Sequence, residues 1–240
     1  MIAVFVNMAT VLVGSLLGIL FRNRLKESFQ AALMKALALC TAVIGVSSAV
    51  QTQALLCVIL SMVLGTVIGE LLRIDDGIEH AGDAIKGKLF KNGGGNSRFT
   101  EGFVSACILF CIGSMTIVGS LEAGINHNYS IIYAKSALDF VSSMAFASAM
   151  GFGVTCSVLF ILLFQGGLTL LAGLVGPALS ADVVREMSAV GGTILIGMAV
   201  NMLGLGKERI KVANMLPAIF LSIAYFPVAG WISGLLGSGM

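Results

Sequence analysis

Apolar residues fall in eight long runs, at about 2–21, 36–50, 54–72, 102–121, 131–150, 153–175, 188–204 and 212–236. An α-helix needs roughly 20 mainly apolar residues to cross a bilayer, so each run is a candidate span. Continuous stretches rich in Gly and Ala, without period-two alternation, argue against a β-barrel. The pattern predicts an all-α integral membrane protein of seven to eight transmembrane helices. The second and seventh runs are the shortest; if either stays out, the terminus beyond it changes side.

Composition points the same way. Of 240 residues, 58% are hydrophobic and 11% charged, and the mean hydropathy is +1.01. A water-soluble domain carries roughly a quarter charged residues.

Charge placement gives an orientation. No basic cluster precedes the first run, and Arg22, Arg24 and Lys26 follow it. A cleaved signal peptide has the opposite order, so the first span is expected to be retained with its start outside. Alternating from there puts Arg22, Arg24, Lys26, Lys35, Arg73, Lys86, Lys88, Lys91, Arg98, Lys207, Arg209 and Lys211 on the cytoplasmic side. Those are 12 of the 14 Lys and Arg residues, the bias that the positive-inside rule describes. Only Lys135 and Arg185 fall outside. The net charge of +2 reflects this topology, and no basic stripe for a nucleic acid is present.

A repeat runs through the same spans. Gly14 and Ser15 match Gly113 and Ser114, Lys35 matches Lys135, Ser48 matches Ser148, and Gly65 matches Gly166, all at offsets near a hundred residues. Three spans per copy is an odd number, so the second copy is expected to lie inverted, spans 1–3 against 4–6. The resulting division is 1–73 for the first copy, 74–101 for a cytoplasmic linker, 102–175 for the second copy and 176–240 for two further helices. Asp182 to Asn201 looks like a weaker third copy of the span-five region. Within the linker, Ile74, Ile78, Ala81, Ile85 and Leu89 recur at helical spacing among Asp and Lys, which predicts an amphipathic surface helix. Residues 22–35 suggest a similar short helix.

Polar groups at membrane depth are the candidate chemistry, since a Lys or Asp at a helix centre costs roughly 2.5 to 3.5 kcal/mol. Lys135 and Asp139 lie four apart on one helical face and can neutralise each other. Their helix continues with Ser142, Ser143 and Ser148. Gln165 stands beside Gly166, Gly167 and Thr169, while Ser114 and Thr116 share a small polar face with Gly113 and Gly119. Glu186, Ser188 and Asn201 mark the seventh span as the least lipid-like. Asn214 and Pro217 open the eighth, where proline leaves carbonyls free and the helix open to interruption. These positions read either as the wall of a solute path or as structural packing and ion pairing. Cys40, Cys57, Cys107, Cys111 and Cys156 read as packing residues without disulfides, and no His joins Cys107 and Cys111 to complete a metal site. No phosphate-binding loop, HExxH or serine triad occurs, so neither catalysis nor a cofactor is expected.

Several strings are familiar as a set: residues 111–120, Lys135 to Asp139, 146–153, Gln165-Gly166, 186–192 and 214–218. With them the chain resembles the YqgA/YdfK-like family of bacterial membrane proteins, catalogued as a domain of unknown function. The resemblance covers nearly the whole chain, and its motifs lie mainly in the second half. It implies a bacterial inner-membrane protein of about seven spans and carries over no substrate. The residues themselves suggest a secondary transporter of a small solute or ion, using Asp139, Lys135, Gln165, Glu186, Asn201, Asn214, Ser114 and Thr116 near the bilayer midplane between spans four and eight. A channel, or a membrane scaffold or sensor working through the linker, are the rival expectations. The bilayer and the solute are the expected partners, and small-residue faces leave room for a homodimer.

Overall fold

The computed structural model describes residues 1–22, 26–78, 80, 99–111 and 114–237. Among these the regular structure is helical throughout: α1 (Ile2–Arg22), α2 (Glu27–Ala49), α3 (Leu55–Leu72), α4 (Phe99–Cys111), α5 (Ser114–Ile125), α6 (Ser130–Met150), α7 (Gly153–Leu170), α8 (Ala181–Leu203) and α9 (Pro217–Gly237). Single turns at Ala172–Val175, Gly176–Ala178 and Val212–Met215 join the later helices. Pro217 starts α9, where its missing N–H costs nothing, so the interruption expected there falls in the preceding 3₁₀ turn. Of the expected linker helix, 74–78 is helical, and 81–98 lies outside the described residues. Lys35 lies inside α2, which begins at Glu27 rather than at the edge of the apolar run.

The burial pattern is the reverse of a soluble domain. Asn7, Gln165 and Glu186 are fully enclosed, whereas Leu71, Leu163 and Leu174 are at least 73% exposed. Such a surface belongs in hydrocarbon. Among the described residues five helices are long and apolar enough to cross a membrane, α1, Ala31–Ala49 of α2, α3, α7 and α8, or six if Phe99–Cys111 and Met115–Ile125, bent by 57°, form one span. Val212–Val228 is a shorter apolar helix. The 21-residue α6 falls outside this set because Lys135, Asp139 and its serines lower its hydropathy.

The helices pack in pairs: α1 along α6, α2 along α8, α3 along α9, and α4 along α7. Glycines set the spacing. A Cβ at Gly14 or Gly18 would collide with Phe140, Ser143 and Met144 of α6, and one at Gly65 or Gly69 with Ala218 and Asn214. Gly45 and Gly192 face each other across α2 and α8. Lipid chains are as apolar as leucine, so helices associate through close van der Waals contact, which glycine permits. The contacts also fix direction: α1 and α6 run parallel, and α2 and α3 run antiparallel to α8 and α9.

Leucine at Gly14, Gly18 or Gly69 is expected to cost about 1–3 kcal/mol through overpacking. Alanine at Gly167 or Gly173, where an added Cβ meets nothing within 4 Å, should leave thermal unfolding in detergent within about 0.5 kcal/mol of the parent.

Candidate functional site

Parallel packing of α1 on α6 brings Asn7 against Asp139, whose carboxylate is ion-paired with Lys135 one turn earlier. Lys135 is 6% and Asp139 7% exposed. The ammonium also stands 5.9 Å from the centre of the Phe110 ring, contributed by α4. Asn7 Nδ2 donates to Gln165 Oε1 at 2.9 Å, which adds α7 to the group. Four helices therefore meet at one polar layer.

Gln165 sits in a π-turn, Leu162–Gly166, set into α7. Such a turn inserts an extra residue into the helical ladder and is common at functional positions. A fifth helix reaches the same depth. Gly124 of α5 abuts Thr169, so Ser120, one turn back along α5, is level with Gln165, one turn back along the parallel α7. Asn7 Oδ1, Gln165 Nε2 and Ser120 Oγ are all buried, and none has a hydrogen-bond partner in the protein.

One turn along the helices lies a small apolar cluster of Ala3, Ala123 and Ile132, with Tyr129 packed on it. Each is three or four residues from a member of the polar layer, Asn7, Ser120 and Lys135 respectively. The cluster is separate from the main core because the polar layer intervenes.

The other expected site residues lie elsewhere. Thr116 donates to the Phe110 carbonyl at 3.0 Å, tying α5 to the end of α4, and the Ser114 side chain is outside the described residues. Glu186, at the start of α8, accepts from Thr52 Oγ1 and from Gln53 N at 3.0 Å and is approached by Arg185, so it clasps the α2–α3 connection. At the opposite end, Asn201 exchanges two hydrogen bonds with the Ile210 backbone, at 2.8 and 2.9 Å. Asn214 Oδ1 accepts from Asp75 N at 2.7 Å. Beside it Lys211 pairs with Asp76 at 3.2 Å, a hydrogen bond that holds the exposed ammonium above its ordinary range.

An apolar recess of about 100 Å³ lies between α4, α7 and α9, and another of about 280 Å³ shares Phe164 and Phe220 with it. All five thiols are free. Among the described residues no group of three or more His, Cys, Asp or Glu side chains is placed to hold a metal ion.

Residues 2–227 match the family model described as "Protein of unknown function (DUF554)". The chain belongs to that family. It is 26% identical over 219 residues to the uncharacterized membrane protein YdfK of Bacillus subtilis (strain 168), covering 90% of this chain and 91% of that one. It is 31% identical over 222 residues to the uncharacterized protein YqgA of Escherichia coli (strain K12), covering 91% and 93%. No solved structure matches.

For this DUF554 chain, the expected set of eight thus separates. Lys135, Asp139 and Gln165 come together through Asn7, Glu186 holds the α2–α3 connection, Asn201 and Asn214 fasten the opposite end, Thr116 ties α5 to α4, and the Ser114 side chain lies outside the described residues. Two members of the layer, Asn7 and Ser120, were not expected. Asn7 carried a readable signal, a lone amide inside an apolar run of twenty residues. Ser120 carried none, since serine is common in these helices.

Replacing Lys135 by Met leaves Asp139 buried without its cation and is expected to cost about 3–5 kcal/mol. The double variant Lys135→Met/Asp139→Leu should recover most of that loss. A double-mutant cycle on thermal unfolding measures the coupling.

Proposed function

We propose that this protein is a secondary transporter of a small solute or ion, working through the polar layer among α1, α4, α5, α6 and α7. The observation that carries this reading is the convergence of Asn7, Lys135, Asp139 and Gln165, each at most 7% exposed, from three helices inside an apolar bundle. Polar side chains in such surroundings cost free energy, and their usual use is on ion or substrate pathways. The π-turn under Gln165 supports it too, since irregular helices line many carrier sites. No nucleotide-binding motif is present in the sequence, so a gradient is the proposed energy source.

The transporter reading includes eight alternating crossings, with both ends of the chain outside. The parallel pairing of α1 with α6 and the antiparallel pairings of α2 with α8 and α3 with α9 support that count. The inverted relation of spans 1–3 to 4–6 rests on the near-constant sequence offset and the distribution of basic residues. Residence in a bacterial inner membrane is part of the same proposal, supported by a relative named as a membrane protein and by the positive-inside pattern. No catalytic role is proposed.

Purified protein reconstituted in vesicles provides the test, with uptake of a broad panel of solutes and ions as the readout. Asp139→Asn is expected to reduce uptake of the transported species to background, with saturation kinetics in the parent protein distinguishing a carrier from a channel. The proposal fails if Asp139→Asn and Lys135→Ala both leave every measured flux unchanged.

A further inference from the structure

Three buried polar atoms at one depth lack protein partners: Asn7 Oδ1, Ser120 Oγ and Gln165 Nε2. An unsatisfied buried group costs about 1–3 kcal/mol, so the arrangement calls for a species from outside the chain. Two of the three are oxygens, and the Asp139 carboxylate and Gln165 Oε1 add oxygens beside them. Oxygen donors of this kind suit hard cations rather than transition metals.

Charge narrows the class. The layer holds one carboxylate, which balances a monovalent ion, whereas divalent sites recruit several. Lys135 already places a monovalent cationic centre on that carboxylate, which shows that the position accepts one. The ammonium has the Phe110 ring, 5.9 Å away, as an alternative seat when it is displaced. The free amide of Gln165 donates to the carboxylate or to a water on the ion.

We infer that the polar layer binds one dehydrated alkali cation between Asp139, Asn7 Oδ1 and Ser120 Oγ, with Lys135 as its built-in competitor and the Ala3, Ala123 and Ile132 cluster as its outer gate. The inference rests on the transport reading of the same layer and names its substrate class. The gate follows from geometry: the side chains of Ala3, Ala123 and Ile132, one turn from the layer, offer an incoming ion no ligand, and Tyr129 packs on them.

Equilibrium binding of radioactive sodium and rubidium to the purified full-length protein, in N-methylglucamine buffer, tests it. One saturable site per chain is expected for at least one of the two ions, accompanied by a rise in thermal midpoint. Asp139→Asn should abolish that site, Asn7→Ala and Ser120→Ala should each weaken it about tenfold, and Cys40→Ser should leave it unchanged. Lys135→Met, which removes the competitor, should bind more tightly. Absence of saturable binding to folded parent protein overturns the inference, as does binding that survives Asp139→Asn or stabilisation that follows the anion instead. Uptake into vesicles separates the two proposals. Binding without flux sustains the cation site and defeats transport, whereas flux of another species without alkali-cation binding sustains transport and defeats the cation site.

Discussion

Close backbone contact at glycine holds this protein together, and the position of everything else follows from it. Hydrocarbon gives two apolar helices little reason to prefer each other over lipid. What α1 gains from α6 comes from Gly14 and Gly18 letting the backbones approach closer than any side chain allows. That approach fixes the axial register of the two helices. With the register fixed, Asn7 stands opposite Asp139 and the first polar contact between the chain's beginning and its middle is made. A slip of one turn would carry Asn7 away from Asp139 and Gln165 in a medium that supplies no other partner.

The polar clusters divide the work by depth. At one end Glu186 holds Thr52 and Gln53, and at the other Asn214 holds Asp75 while Arg209 lies 3.6 Å from its carboxylate. These contacts tie both ends of α3 to elements bordering α8 and α9. Between them, the Lys135 layer is assembled from a different set of helices, α1 and α4 to α7. The α2–α3 and α8–α9 hairpins thus stand beside a bundle with a polar interior. Glu186, fully buried, meets Thr52, Gln53 and Arg185 and lies apart from the Lys135 layer.

Much of the site was legible, because a charge in an apolar run announces itself. Lys135 and Asp139 at helical spacing, and Gln165 among glycines, were readable from hydropathy and period. Asn201 and Asn214 were readable as polar but not as loop fasteners, since their partners, the Ile210 backbone and Asp75, are set by how α8 and α9 close on α3. The depth shared by Ser120 and Gln165 depends on Gly124 meeting Thr169, a contact between helices more than forty residues apart. No local pattern encodes such a distance.

The sequence by itself determined the solvent, the helical class and the polar residues that lipid would reject, because transfer free energy and helical periodicity are local properties of the chain. Which of those residues meet was decided by the tertiary structure. Small residues select a helix's neighbours and its register only once the partner helix is present, and the burial of Asn7 depends on that choice.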